Sequence, residues 1–430
     1  MMSAVKDSLF IFFITGFALV FLPEFVEETR PLQLAIISMA GNPLDKPSEL
    51  SMCGKGGQSP YVREVGRHLS TLGFNVTIFT RSESPENFGT VSLSATLRVQ
   101  YLVAGPQQHL FRDLKYHHLE NFTSQIDPGN FDVVFSNYWL SGYVGLKLGL
   151  PQIHVHHSLE IQKFQWEPIT EIGKIRMEVE EEINRRASCI VHQLRNEHEL
   201  TNATKGTHIT PGIEVDKFKD LNKEESRRKL NFDTNVTNVL YVGRFAPQKG
   251  IKFALDALNK TKTPVTFRLI GAYENSPSEH LLQEYPQFDY LGPKPMSELV
   301  MYMSASDIMV VPSLYEPFGL VVLEGMAAGC CMLVSAVGGP GEVVEDRVNG
   351  LKVPPGDADA ILEAFEKLAA NRTLMNEIGV RNRGIGLQNS WWNTAEKLSD
   401  AILEIVPKRR NVIRRFLFEN FTYLQSYKFI

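Results

Sequence analysis

The chain lacks several features that would place it at once. It has only four cysteines, Cys53, Cys189, Cys330 and Cys331. None stands at paired metal-ligand spacing and the last two are adjacent, which suits neither a zinc site nor an ordinary disulfide framework. Reduced thiols in a cytoplasmic protein are expected. There is no excess of one charge either: 44 Lys and Arg face 49 Asp and Glu, a net charge of −5. A nucleic-acid binder is therefore not indicated, although a localised basic site stays open. Neither G-x-G-x-x-G nor a P-loop is present. The nearest approach, Cys53-Gly54-Lys55-Gly56-Gly57-Gln58-Ser59, has no Ser or Thr after Lys55 and lacks the earlier glycine of that motif. What is present is 430 residues, 43% of them hydrophobic. That length suits about two or three domains of the usual ~100–200 residues and rules out a disordered or collagen-like chain.

The two ends stand apart from this globular pattern. Leu9 to Leu22 is an uninterrupted apolar run, shorter than the ~17–25 residues that span a bilayer as a helix. It resembles the core of a signal peptide, but only Pro23, Glu24 and a polar stretch to Arg30 follow, with no small-residue cleavage site. A short membrane anchor and a non-native extension are the alternatives for residues 1–31. At the other end Lys408, Arg409, Arg410, Arg414 and Arg415 alternate with Val412, Ile413, Phe416, Leu417 and Phe418. This tail, 407–430, is either a basic amphipathic helix for an anionic membrane surface or a charged tail folded back on the body. Any peripheral membrane contact is expected through these ends.

Between them strands alternate with helices. The strands LQLAIIS and NVTIFT flank a helix from Tyr61 to Leu72, a βαβ unit, and TLRVQYLV, FDVVFSN, PQIHVH and ASCIVH continue the series. A charged helix is predicted from Lys217 to Leu230. A second series then runs through NVLYVGR, VTFRLIG, FDYLG, DIMVVPS and CMLVSAV. Apolar strands separated by helices imply parallel sheets covered on both faces. The expected division is 32–205, 206–385 and a last helix at 386–406. Ligands of such sheets sit beyond the carboxyl ends of the strands, so the loops there carry the chemistry.

The first such loop places Gly56 and Gly57 ahead of the Tyr61 helix, where backbone N–H groups can approach an anion, although a tight turn explains the glycines equally well. In the second half Arg244 and Lys249 leave one strand end on one loop, suited to a diphosphate. After DIMVVPS comes Glu316-Pro317-Phe318-Gly319-Leu320, then a helix carrying Glu324. These two carboxylates would lie ~12 Å apart if the whole interval were helical, about the reach from a sugar across a diphosphate to a ribose. His154, His156 and His157 lie close together, but a strand puts the first two on one face with no Cys or carboxylate in register, so no metal is expected. Asp357-Ala-Asp359 opens a helix and reads as an N-cap.

GRFAPQKG and EPFGLVVLE resemble the donor-binding signatures of retaining glycosyltransferases of family 4, from about Leu32 to Ile405. The resemblance implies the GT-B fold, two Rossmann-like doubly wound domains facing across a cleft with a C-terminal helix crossing back to the first. It implies a nucleoside-diphosphate sugar as donor, no cofactor and no metal. Arg244 and Lys249 would neutralise the diphosphate, Glu316 would contact the donor sugar, and Phe318, Gly319 and Leu320 would line it. Glu324 would meet the ribose, and Gly56 and Gly57 would line the donor from the first domain. FSNYWLSGYVG and PQIHVHHSLEIQK further resemble sucrose-phosphate synthases and the mycothiol-pathway glycosyltransferases. That match makes His157 an active-site histidine and assigns Lys163 and Arg176 to an acceptor phosphate on a sugar or polyol. The rival readings are a nucleotide-sugar epimerase on the same fold, and a non-catalytic nucleotide-sugar binder or membrane-associated scaffold.

Overall fold

The computed structural model of the chain describes residues 30–44, 57–163, 168–273 and 281–406. The apolar run at 9–22, Gly56 and the basic tail lie outside them. The first sheet contains β1 (Gln33–Ser38), β2 (Asn75–Arg81), β3 (Gly89–Ser92), β4 (Leu97–Leu102), β5 (Val133–Asn137), β6 (Gln152–Val155), β7 (Cys189–His192) and β8 (Gly206–His208). Their spatial order is β3-β4-β2-β1-β5-β6-β7-β8. All neighbours are parallel except the β3–β4 edge pair. The second sheet contains β9 (Thr237–Val242), β10 (Val265–Ile270), β11 (Asp289–Gly292), β12 (Ile308–Val311), β13 (Cys331–Ser335) and β14 (Gly350–Val353), in the order β11-β10-β9-β12-β13-β14 and parallel throughout.

The strands are apolar on both faces because helices cover both. Leu34 and Ile36 of β1 enter one hydrophobic core while Ala35 and Ile37 enter the core on the opposite face, and all four are fully buried. Each sheet reverses its winding once, between β1 and β5 in the first and between β9 and β12 in the second. Such reversals splay the following loops apart and open a crevice at the strand ends. The fold therefore places one crevice in each domain.

The helix Trp391–Ile405 joins the halves. It restarts after the helix Arg372–Leu387 because the Ser390 hydroxyl accepts the Asn393 N–H at 3.1 Å, an N-cap. Its Trp391, Ala395, Leu398 and Ile402 are buried in the first domain's core beside Tyr61, Val65 and Leu69. This is the crossing helix of the GT-B architecture.

Two boundaries differ from expectation. Residues 206–208 form β8, which pairs with β7, so the first sheet extends past the expected division at 205/206. The charged helix starts only at Lys223, where the Asn222 side chain accepts the Glu225 N–H at 2.9 Å, and it ends at Lys229; Val215–Lys217 is an isolated 3-10 turn. The cap outweighed the helical spacing of the charges before it. The N-cap at Asp357 is as read, its carboxylate accepting the Ala360 N–H at 2.8 Å. Among the described residues no helix is long and apolar enough to cross a membrane.

If Trp391 is the anchor of the crossing helix, Trp391→Ala should cost about 3–5 kcal/mol, the usual range for emptying a buried aromatic site. Urea unfolding followed by circular dichroism measures this, and an unchanged midpoint would show that the helix is not held there.

Candidate active site

The second-domain crevice is built by two loops locked to one another. The loop after β9 carries Arg244 and Lys249 and ends at Gly250, whose φ is +61°. A Cβ at Gly250 would lie 2.1 Å from the Pro312 carbonyl oxygen, so position 250 needs glycine for space as well as for conformation. The Leu314 N–H donates to the Gln248 carbonyl at 2.9 Å, tying the loop after β12 to the loop after β9. Tyr241 donates its hydroxyl hydrogen to the Arg244 carbonyl at 2.7 Å. The result brings Lys249 and Glu316 together as an ion pair, with the Ser313 hydroxyl 3.4 Å from the same carboxylate oxygen. Sequence reasoning assigned these two residues to separate parts of a donor; here each neutralises the other.

Two helix N-termini meet beside this pair. Gly319, with φ +76°, is the N-cap of the helix Leu320–Ala328, and Gly57 is the N-cap of the helix Gln58–Thr71 in the first domain. A Cβ on Gly57 would come within 3.3 Å of the Leu320 side chain, and Leu320 packs against the cores of both domains. Both N-cap residues are glycines with no side chain to cap the helix, an arrangement that suits an external acceptor at the first-turn N–H groups. The left-handed Gly319 also means that only part of the interval from Glu316 to Glu324 is helical, so the all-helical spacing of ~12 Å does not apply. Glu324 is half-buried on that helix, and burial, with the Glu214 carboxylate adding to it, pushes its carboxyl up to about 7.

The same corner contains a contact that sequence reasoning missed. Gly338 and Gly339 follow β13, and the Gly339 N–H lies 3.2 and 3.1 Å from the Glu316 and Pro317 carbonyl oxygens. Glu342 of the same turn accepts the Arg195 N–H of the first domain at 2.9 Å, linking the halves. The run Val337-Gly338-Gly339-Pro340-Gly341 was the available signal, since consecutive glycines mark close backbone approach.

In the first domain β5 ends at Asn137, and His156 and His157 directly follow β6. His157 adopts φ +59°, unusual for a residue with a side chain. Its Nε2 lies 3.0 Å from the Asn137 side-chain oxygen, so the two side chains are within hydrogen-bond distance. The Tyr61 ring packs edge-on against His157 at 4.8 Å and against Trp391 at 5.5 Å. His154 and His156 are fully engaged elsewhere: His154 reaches Ser136 at 2.8 Å and His156 at 3.3 Å, and His156 reaches Asn184 at 2.7 Å. Burial pushes the His156 imidazole down to about 4 and His154 well below its ordinary value, so both are neutral. Among the described residues no group of three or more His, Cys, Asp or Glu is placed to hold a metal ion.

Arg176 is buried and lies among Tyr138, Ser158, Glu160 and Glu180. Lys163 stands 4.0 Å from the Glu160 carboxylate that Arg176 also meets, so the two acceptor cations share one counter-charge. Tyr315, next to Glu316 in the donor loop, lies within electrostatic reach of Arg176 and Glu180. Its hydroxyl oxygen is buried and has no hydrogen-bond partner among the described residues. The loop that carries Glu316 thus lies near the Arg176–Glu180 pair. Tyr138, Asn137, Glu160 and Tyr315 were not singled out from sequence, because their partners come from distant loops.

Comparison with known proteins places this arrangement. Residues 222–384 match the family model described as glycosyl transferases group 1, and residues 56–209 match the glycosyl transferase 4-like domain. The chain is 30% identical over 409 residues to a D-inositol 3-phosphate glycosyltransferase of Corynebacterium aurimucosum, covering 86% of this chain and 95% of that one. It is 29% identical over 407 residues to the Geodermatophilus obscurus protein of the same name, covering 86% and 88%. Among solved structures, sucrose-phosphate synthase from Thermosynechococcus elongatus superimposes with a TM-score of 0.80 at 28% identity, covering 87% of this chain and 99% of that one. Anabaena HepE in complex with UDP and glucose shares the fold, with a TM-score of 0.65 at 16% identity over 87% of this chain and all of that one. The chain belongs to the group 1 glycosyl transferases. It is a retaining glycosyltransferase of the GT-B fold.

The Gly339 contact can be tested directly. A Cβ there would lie 1.7 Å from the Phe318 carbonyl oxygen, so Gly339→Ala must displace the Glu316–Leu320 loop. A shift of ~1 Å at reacting groups costs about 100-fold in rate, and turnover should fall by that order. Gly384→Ala, where a Cβ meets nothing within 4 Å, should leave turnover unchanged. Equal rates for the two variants would detach the loop from catalysis.

Proposed function

We propose that the enzyme moves a hexose-type sugar from a nucleoside-diphosphate sugar to a hydroxyl of a phosphorylated sugar or polyol, with retention at the anomeric carbon. The observation that carries this reading is the meeting of two glycine-capped helix N-termini from opposite domains beside the Lys249–Glu316 pair, on the loop that also carries Arg244. Such a place suits a diphosphate, since N–H groups, helix dipoles and permanent cations all favour the charge that develops on it. Each preorganised contact of this kind is typically worth roughly 3–4 kcal/mol of barrier.

The steps follow from these positions. As the bond from the anomeric carbon to the diphosphate breaks, its electrons go to the phosphate oxygen, which Arg244, Lys249 and the helix amides stabilise. Glu316 changes partner when the donor arrives. Lys249 turns to the phosphate, leaving the Glu316 carboxylate to accept from sugar hydroxyls. The acceptor hydroxyl bonds to the anomeric carbon from the same face, and its proton passes to the departing phosphate. No carboxylate base is needed, and the cations and amides supply the neutralisation that a metal provides elsewhere. His157, held by Asn137 through Nε2, serves as a positioning donor or acceptor at the sugar. Lys163 and Arg176 meet the acceptor's phosphate. The phosphorylated acceptor is supported by the names of the relatives, which act on D-inositol 3-phosphate, and by the sucrose-phosphate synthase likeness.

Two experiments test this reading. Purified protein is offered UDP-glucose, UDP-N-acetylglucosamine and the corresponding ADP and GDP sugars, with and without inositol phosphates and hexose phosphates, and nucleoside diphosphate release is measured. Acceptor-dependent release, unaffected by EDTA and reduced at least about 100-fold by Lys249→Ala, is expected; donor binding without turnover under every condition would overturn the proposal. The second reads pH. Glu324, with its carboxyl near 7, is ionised above that value and protonated below it. Accepting hydrogen bonds from both ribose hydroxyls needs the carboxylate, so the donor KM should rise as pH falls through 7. In Glu324→Gln the donor KM should be raised and nearly flat with pH, and a flat profile in the unaltered enzyme would remove Glu324 from the ribose.

A further inference from the structure

Arg176 is the residue assigned to the acceptor's phosphate, yet its guanidinium already makes four hydrogen bonds within the fold and pairs with a second carboxylate. Its guanidinium offers five donors. Nε meets Glu180 at 2.6 Å, one terminal nitrogen meets Tyr138 Oη at 3.0 Å and Glu160 Oε2 at 3.0 Å, and the other meets the Ser158 carbonyl and, at 3.1 Å, its hydroxyl. Four of these five acceptors are fixed in the fold. Ser158 and Tyr138 sit at the ends of strands, and Glu180 lies on the same helix as Arg176 and also accepts the Glu160 N–H at 3.0 Å. The fifth, Glu160, is different. It opens the four-residue helix Glu160–Lys163, and its side chain keeps 15% exposure against 6% for Glu180.

The Glu160 carboxylate occupies the position an anion would take. Lys163 Nζ lies 4.0 Å away from the oxygen that Arg176 meets. The other oxygen lies where a Cβ on Gly173 would come within 2.8 Å, over the first turn of the helix Glu171–Arg186. Arginine, lysine and a helix N-terminus surround it. A second observation points to a missing ligand at the same place. The Tyr315 hydroxyl, buried and without a partner among the described residues, approaches from the second domain within electrostatic reach of Arg176, Glu180 and Tyr138. An unpartnered buried hydroxyl is costly unless something arrives to use it.

We propose that Glu160 is a built-in occupant of the acceptor's anion position, which it holds in the free enzyme and yields to the acceptor's phosphate, and that it thereby determines which acceptors are taken. This rests on the phosphorylated-acceptor reading above. With Glu160 in place, Arg176 and Lys163 are balanced by Glu160 and Glu180, and a phosphate added to that balanced set would meet net repulsion. With Glu160 turned out to solvent the set is one charge positive, and a phosphate dianion restores contacts to Arg176, Lys163 and the Tyr315 hydroxyl. A carboxylate monoanion exchanged for Glu160 gains no charge, and an uncharged acceptor cannot displace it. The device therefore selects a dianionic phosphate. Because Tyr315 belongs to the donor loop, the phosphate also joins the two domains.

The test is Glu160→Gln, which keeps the shape and removes the competing charge, with Glu160→Asp as the conservative variant. If the native carboxylate holds the position most of the time, its removal raises apparent affinity by the reciprocal of the fraction of open enzyme. The acceptor KM of Glu160→Gln should fall about tenfold, inhibition by inorganic phosphate should strengthen by a similar factor, and Glu160→Asp should return both toward the original values. Binding of inorganic phosphate alone, read by isothermal titration, applies even to a variant with no turnover and should tighten in the same way. Unchanged or weakened phosphate binding in Glu160→Gln would show that Glu160 only braces Arg176 and would overturn the inference. The two levels fail separately. Turnover of phosphorylated acceptors by the unaltered enzyme with no fall in KM for Glu160→Gln refutes the role of Glu160 alone, whereas turnover restricted to unphosphorylated acceptors refutes the acceptor reading and this inference with it.

Discussion

Leu320 is in contact with the hydrophobic cores of both domains, and the site depends on that contact. It holds the N-terminus of the helix Leu320–Ala328 against the N-terminus of the helix Gln58–Thr71, two ends that each carry roughly half a positive charge. Like ends held together are unfavourable by themselves. Burial of apolar surface around Leu320 and the crossing helix offsets this, and helix ends capped by glycine suit a ligand that neutralises the unfavourable charge. Glycine eases the approach at 57 and is required at 319. At 57 a side chain would press on Leu320, and at 319 both the left-handed backbone and a Cβ 2.9 Å from the Glu316 side chain exclude other residues.

Elsewhere in the site charge is not left waiting. Lys249 is paired with Glu316, and Arg176 with Glu160 and Glu180. In a chain of net charge −5 this is a way to keep cations in a cleft without a standing positive patch that would gather unrelated polyanions. Ligand binding then exchanges an internal anion for an external one. Affinity becomes a difference between two good interactions, and selectivity follows from how far the ligand exceeds the carboxylate it replaces in charge and in number of acceptor oxygens. Both domains show the same internal pairing, once at Lys249 and once at Arg176, and on the proposed roles these are the donor and acceptor sides.

The sequence made the sheets legible because parallel strands buried on both faces must be continuous apolar runs, and LQLAIIS or DIMVVPS can hardly be anything else. The donor loops were legible because their chemistry is local: Arg244, Lys249, Glu316 and Gly319 each sit within a few residues of a strand end, and Asp357 caps a helix that begins beside it. The opposite holds for Asn137, Tyr138, Glu160 and Tyr315. Each acquires meaning from a partner far along the chain, and no spacing rule reports that Arg176 would be engaged by Ser158, Tyr138 and two glutamates. The helix expected from Lys217 failed for a local reason of another kind: Asn222 offers a side-chain acceptor to the Glu225 N–H, and a good cap fixes where a short helix begins more firmly than the charges preceding it.

Strain ties these parts together. Tyr138 and His157, the residues that follow β5 and β6, both have positive φ, at 74° and 59°, and non-glycine residues in that region cost on the order of 1–3 kcal/mol each. Such conformations persist only where several contacts determine them at once. For Tyr138 these are the hydrogen bond from Arg176 and the guanidinium lying over its ring at 4.7 Å. For His157 they are the Asn137 amide and the Tyr61 ring, which is itself held edge-on by Trp391 of the crossing helix. The crossing helix is therefore more than a fastening between domains. By fixing Tyr61 it fixes the orientation of His157, so a helix from the end of the described chain helps to determine geometry at the first domain's strand ends.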